Sequence, residues 1–208
     1  MLEKAYPQRL LVEGNDDLHI VWSICEKFKI AENFNVIDSK GYSNLVLRIE
    51  AELLRSDLIT LGMIVDADTD LSSRWNSLRT KLQRQGYEVP EDIGEEGLIL
   101  NQANKPRIGL WIMPNNNLNG AIEDFIKYLI APDDDLAPEV QNVLRVLKES
   151  GKQRCKDVHI EKSYISTWLA WQKTPGIPMG QAITFKFLST ENVRELHLFV
   201  EWLSTLFA

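Results

Sequence analysis

The chain is short of cysteine, of net positive charge and of long apolar runs, and each shortage removes a class of protein. Its two cysteines, Cys25 and Cys155, stand far apart in 208 residues, so neither a disulfide framework nor a CxxC zinc spacing is present. The three histidines, His19, His159 and His197, are scattered and set no metal-binding pattern. No apolar run approaches the roughly 20 residues that cross a bilayer. The start, Met1-Leu2-Glu3-Lys4, lacks the charged-then-apolar pattern of a signal peptide, so the expectation is a cytoplasmic protein with no membrane partner. A formal net charge of −7 argues against a protein held on nucleic acid by a general positive surface. It leaves room for a nuclease, because a carboxylate site loaded with divalent metal is locally positive. No GxxxxGK[ST] phosphate loop occurs, so the chain carries no P-loop nucleotide site of its own. What is present, 44% hydrophobic residues, is enough for one α/β domain with or without an extension.

The organising stretch is Leu61-Gly62-Met63-Ile64-Val65-Asp66-Ala67-Asp68-Thr69-Asp70. Its apolar half reads as a strand buried on both faces, as in a parallel sheet. Three carboxylates follow at alternate positions, beginning on one side of the chain. They fall where the chain leaves the carboxyl end of the strand, the edge at which open α/β sheets bind ligands. Clustered carboxylates repel and call for a cation or a proton, and hard oxygen ligands suit Mg²⁺, with Mn²⁺ as substitute. Asp70 fits a helix cap better than a ligand; Asp66 and Asp68 fit a metal site better than a turn.

Before this stretch, Arg9-Leu10-Leu11-Val12 forms a short strand and Glu13-Gly14-Asn15-Asp16-Asp17 a turn, with Gly14 allowing a tight bend and Asn15 or Asp16 capping the next helix. Leu18, Val21, Trp22, Cys25 and Phe28 recur at helical spacing. A second strand at Phe34–Ile37, a helix marked by Leu45, Ile49, Leu53 and Leu54, the strand Leu58–Val65 and a helix through Arg74, Trp75, Leu78 and Leu82 complete a parallel α/β pattern. If the first and third strands are neighbours, Glu13 and Asp66 meet above one edge. An antiparallel hairpin is expected from Gly97–Leu100 and Arg107–Met113. A helix then starts near Ala121, with Glu123 in its first turn, where the helix dipole alone favours an acid. Asp134 or Asp135 caps a helix to Glu149. Gly151–Lys156 is a basic loop with Lys162 just beyond. Tyr164–Gln172 is helical with Trp168 and Trp171 in the core, and Thr174–Gly180 is irregular. The last helix, with Val193, Leu196, Phe199, Val200 and Leu203 on one face, packs on the domain or on a second copy, which leaves a homodimer open. The expected organisation is a core over 1–130 and a helical extension over 131–208.

Leu11-Val12-Glu13-Gly14 with Asp17, followed by Val65-Asp66-Ala67-Asp68, resembles the Toprim motif of topoisomerases, primases and small nucleases. Pro114 to Phe125 and the tryptophan-rich Trp168-Leu169-Ala170-Trp171-Gln172 are similar to a small family of uncharacterised prokaryotic Toprim-like proteins. That family resembles in turn the Toprim half of overcoming-lysogenization-defect nucleases, a half that is fused to or partnered with an ATPase. The resemblance implies an α/β fold with about four parallel strands. It also implies Glu13 in acid–base chemistry or on metal, Asp66 and Asp68 on Mg²⁺, Glu123 joining them, and Lys162 as a catalytic lysine, with Gly14, Asp17 and Asp70 as further candidates. The function implied is Mg²⁺-dependent hydrolysis of DNA or RNA, with a separate ATPase as partner. No tyrosine stands in a cleavage arrangement, so topoisomerase chemistry is not implied. Two alternatives stay open: a non-catalytic, metal-binding interaction subunit, and a haloacid-dehalogenase-like phosphatase reading of Asp66-Ala67-Asp68-Thr69, which topology disfavours because that family carries the motif on its first strand.

Overall fold

A computed structural model describes residues 6–208. Strands and helices alternate through its first half: β1 (Gln8–Val12), α1 (Asn15–Phe28), β2 (Asn35–Asp38), α2 (Tyr42–Leu53), β3 (Thr60–Asp66) and α3 (Leu71–Arg84). The hairpin of β4 (Leu98–Leu100) and β5 (Arg107–Met113) follows. The helices α4 (Ile122–Tyr128), α5 (Leu136–Glu149), α6 (Ile160–Ala170), α7 (Met179–Thr184) and α8 (Arg194–Leu206) complete the chain. The sheet runs β2-β1-β3-β5-β4, with β2, β1, β3 and β5 parallel and β4 antiparallel to β5. This is the expected α/β sheet of four parallel strands with an antiparallel addition.

β3 lies at the centre, and Thr60 through Val65 are all buried, which is why its sequence is a continuous apolar run rather than an alternating one. One sheet face, with Leu11, Met63, Val65 and Ile112, packs with α2 and α3 through Leu45, Ile49, Trp75 and Leu78. The opposite face, with Leu10, Val12, Ile64 and Trp111, packs with the remaining helices through Ile20, Ile24, Phe125 and Phe199.

The C-terminal helix is seated by a hole in the sheet. Gly62 on β3 lies directly across from Gly109 on β5. A Cβ on Gly109 would overlap the end of the Leu206 side chain, and one on Gly62 would come within 2.7 Å of Leu10 Cδ1 and 2.9 Å of Leu206 Cδ2. The missing side chains thus admit fully buried Leu206 against the backbone, while Leu196, Phe199, Trp202 and Leu203 cover the rest of the face. Burying each such side chain contributes about 1.5–3 kcal/mol. The chain end is also fixed, since Asn33 Nδ2 donates to Phe207 O at 2.8 Å and the Phe207 ring stacks on Phe34.

Several local expectations need correction. Residues 179–180 of the Pro/Gly-rich stretch are helical, because Gly180 lets α7 approach α1 closely: a Cβ there would lie 2.7 Å from His19 O. Trp22, Leu54 and Trp171 are exposed at 51%, 86% and 42%, so helical spacing overextended the apolar faces of their helices. At α5 the expected pair divides the work: Asp135 stands at the cap position, and the Asp134 side chain accepts from Ala137 N at 2.7 Å and from Trp168 Nε1 at 3.0 Å.

Gly109→Ala is expected to destabilise the protein by about 1–3 kcal/mol through overpacking against Leu206. Leu206→Ala removes the clash, so the double variant should lose less than the sum of the two single losses in chemical denaturation; strict additivity would mean that the glycine pair does not seat the helix.

Candidate functional site

The sheet register decides what meets at its carboxyl edge. Leu11 of β1 lies beside Met63 of β3, and Asp66 beside Met113 of β5, so the residues that leave these three strands emerge together. Asp66 N donates to Glu13 Oε1 at 2.9 Å, which joins two residues 53 apart in sequence. Asp66 Oδ1 in turn accepts from Ile122 N at 3.0 Å, at the first turn of α4, where the next residue is Glu123.

Gly14 follows Glu13 in an extended conformation that any residue adopts, so its role is not backbone freedom. Its N–H donates to Asp17 Oδ2 at 3.1 Å, and a Cβ on Gly14 would sit 3.3 Å from that oxygen. Glycine here makes room for the Asp17 carboxylate, and Asp17 rather than Asn15 or Asp16 satisfies the helix start. The same device recurs at α4, where Ala121 N donates to Asp124 Oδ2 at 2.8 Å. There Gly120 has φ of 141°, and a Cβ would stand 2.7 Å from Asp124 Oδ2.

Asp68 adopts a left-handed conformation, φ 52°, uncommon for a residue with a side chain. Two reciprocal backbone bonds to Gly120, each 2.8 Å, hold it there. Its carboxylate pairs with Arg74, whose guanidinium lies 3.6 Å from the centre of the Tyr42 ring. Further along the same helix Lys81 pairs with Glu50 at 2.7 Å. Asp70 caps α3, accepting from Ser73 N at 2.9 Å.

Glu123 is buried, and Lys162 Nζ stands 3.4 Å from its Oε1. Lys162 projects from the first turn of α6, which begins four residues earlier than the sequence indicated, and its side chain is 62% exposed. Together Asp66, Asp68, Glu123, His159 and Lys162 line an open cleft of about 580 Å³. Sequence reasoning missed His159, whose only signal was its place two residues after Asp157 at a helix start. Lys152, Arg154 and Lys156 are exposed.

Electrostatics mark Asp66 as the centre of the group. Burial first, and then the charges of Asp17, Glu13, Glu123 and Asp68, push its carboxyl well above the usual range. Burial pushes Asp17 up to about 7, with Glu13 and Glu123 adding to the effect and the bonds from backbone N–H groups opposing it. Glu13 is raised too, chiefly by burial, against the bond from Asp66 N and the charge of Arg74. Asp17 Oδ1 is buried with no hydrogen-bond partner among the described residues. Among the described residues the cationic partners are Arg74, paired with Asp68 and acting on Glu13, and Lys162, beside Glu123.

This donor set, all oxygen and partly unsatisfied, fits a hard divalent cation. Among the described residues no group of three or more His, Cys, Asp or Glu side chains stands ready around one point. The reason is visible in the pairing: Glu13 is turned to the Asp66 N–H, Asp68 to Arg74 and Glu123 to Lys162.

Fold and site define an α/β protein with a carboxylate cluster at the carboxyl edge of a mostly parallel sheet. The chain belongs to the family described as "Protein of unknown function (DUF3226)", whose model matches residues 7–208. Among solved structures it is similar to the C-terminal region of the OLD protein of Xanthomonas campestris pv. campestris. One such structure, phased with mercury, has 15% identity and a TM-score of 0.40, covering 99% of this chain and 90% of that one. A second, phased with platinum, has 16% identity and a TM-score of 0.40, covering 98% and 86%. No curated protein matches the chain. Among the described residues no helix is long and apolar enough to cross a membrane.

The raised carboxyls fix the sign of a pH effect. A carboxyl raised in the folded state keeps a proton that the unfolded chain has released. Between the ordinary value of 3.8 and about 7, folded Asp17 therefore binds more protons than unfolded Asp17, and stability falls as pH rises through that window. Metal-free protein is expected to melt higher at acidic than at mildly alkaline pH, by roughly 5 °C or more. Asp17→Asn should flatten the profile; an unchanged slope in that variant would contradict the assignment.

Proposed function

We propose that the chain is a divalent-cation-dependent phosphodiesterase acting on nucleic acid, with Mg²⁺ as the cation and Mn²⁺ as substitute. The observation that carries this reading is the mutual approach of Glu13, Asp17, Asp66, Asp68 and Glu123 beside an open cleft, with too few cationic partners to balance them. The residues that would hold the cation are Asp66, Asp68, Glu123 and Glu13. The Toprim-like spacing of Glu13-Gly14 and Asp66-Ala67-Asp68 supports the same assignment.

A bound divalent cation supplies positive charge to a phosphate and acidity to a water molecule. The chain's own groups do the rest. Hydrolysis adds water to phosphorus, breaks one P–O ester bond and needs a proton taken from the water and one delivered to the leaving oxygen. Glu13 is placed for proton transfer: one oxygen is fixed by the Asp66 N–H, and burial raises its proton affinity. Lys162, exposed in the cleft wall, donates hydrogen bonds to phosphate oxygens. Asp17 holds the start of α1 behind Glu13, its Oδ2 accepting from Gly14 N. The exposed Lys152, Arg154 and Lys156 compensate locally for an acidic chain. The phosphatase alternative is disfavoured by topology, because Asp66 ends β3, the third strand along the chain, whereas that family carries the motif on its first strand. A separate ATPase is the partner this reading would add.

The test is incubation of the pure protein with plasmid, single-stranded DNA and RNA in Mg²⁺ or Mn²⁺, alone and with an ATPase encoded beside it. Cleavage is expected, with Asp66→Asn and Glu13→Gln each slowing it at least about 100-fold. Those variants should also lose the rise in melting temperature that Mg²⁺ gives the wild type. A Mg²⁺-stabilised protein without turnover under any of these conditions would favour the interaction subunit instead.

A further inference from the structure

The Asp68 carboxylate stands between two openings. One is the main cleft. The other is a separate cavity of about 300 Å³ on the α2–α3 side, lined by Tyr42, Thr69, Ser73, Arg74 and Ser77 as well as Asp68. We propose that this second cavity is a subsite for a backbone phosphate of the nucleic acid, anchored by Arg74, with the Asp68 carboxylate occupying the phosphate's place on the guanidinium while the nucleic acid is absent. The inference rests on the phosphodiesterase reading and adds to it a specific group of residues.

Three features fit a phosphate there. First, the Arg74 guanidinium is held in place, stacked 3.6 Å over Tyr42 with its side chain only 14% exposed. A planar fork already ordered in this way matches a phosphate bidentately and loses little freedom on binding. Second, the rest of the polar wall, apart from the Asp70 carboxylate, is made of hydroxyls that can donate. The Tyr42 hydroxyl donates to Ser77 Oγ at 3.2 Å, which leaves the Ser77 hydroxyl hydrogen free to donate outward. Ser73 and Thr69 add hydroxyls to the same wall. Third, the carboxylate of Asp70, which also lines the cavity, is engaged with Ser73 N, so Asp68 is the anion paired with Arg74.

Asp68 couples the two openings. Its backbone is fixed by the paired bonds to Gly120, so only its side chain is free to turn. When Asp68 turns to the main cleft as a cation ligand, Arg74 is left stacked on Tyr42 and unpaired, ready for a phosphate oxygen. Cation and nucleic acid should therefore strengthen each other's binding, by the same factor in both directions.

The experiment follows the fluorescence anisotropy of a short labelled single strand, titrated in EDTA and in Ca²⁺, which takes the same oxygen ligands. Wild-type affinity should rise on the order of tenfold with Ca²⁺. Arg74→Ala should lose that rise while binding Mn²⁺, read by electron paramagnetic resonance, at least as tightly as wild type. Arg74→Lys should keep part of it, as a charge without a fork. Ser77→Glu, a change at an exposed position that puts a carboxylate into the cavity, should also abolish the rise with Mn²⁺ binding unchanged. A full Ca²⁺-dependent rise in both Arg74→Ala and Ser77→Glu overturns the subsite alone. A wild type that binds no strand in either condition overturns the nucleic-acid reading as well.

Discussion

Like charges buried side by side repel, and that repulsion shapes the carboxyl edge of this sheet. Asp66 takes the burden because β3 is the central strand and ends under the first turn of α4. Its four carboxylate neighbours come from three places: Glu13 and Asp17 at the β1–α1 junction, Asp68 two residues further along, and Glu123 in α4. Without a cation the molecule answers the repulsion in two ways. It raises the proton affinity of Asp66, Asp17 and Glu13, and it draws in Arg74 and Lys162.

The scaffold behind the edge is correspondingly fixed. Leu206 enters the sheet face through the Gly62–Gly109 pair, and α7 rides on α1 through Gly180. Glycine serves at these places by leaving out a side chain rather than by bending the backbone. Gly14 does the same beside Asp17. The left-handed backbone at Asp68, by contrast, is a conformational cost of order 1 kcal/mol, held by the bridge to Gly120. Such a cost is found where a side chain must be aimed, and here it aims Asp68 between two cavities.

Much of this was legible in the chain itself. The apolar run before Asp66 announced a strand buried on both faces, and the alternation of strands with helical patterns announced the parallel sheet. The turn residues between Leu100 and Arg107 announced the hairpin, and the cap at Asp70 followed from its place before a helical pattern. What periodicity missed has a common cause. Trp22, Leu54 and Trp171 share helical spacing with core residues, but the face a helix buries is set by partners distant in sequence. The pairing of Arg74 with Asp68, the stacking on Tyr42 and the entry of His159 into the cleft all depend on contacts between elements. The helix at Met179 forms in a stretch rich in proline and glycine because α1 receives it.

The central claim is that carboxylates from β1, β3 and α4 share one divalent cation. A crystal soaked in Mn²⁺ and measured for anomalous scattering tests it most directly. The account predicts a peak bounded by Asp66, Asp68 and Glu123 or Glu13, with Asp68 turned away from Arg74. A crystal saturated with Mn²⁺ that shows no peak there, with Asp68 still paired to Arg74, would contradict it.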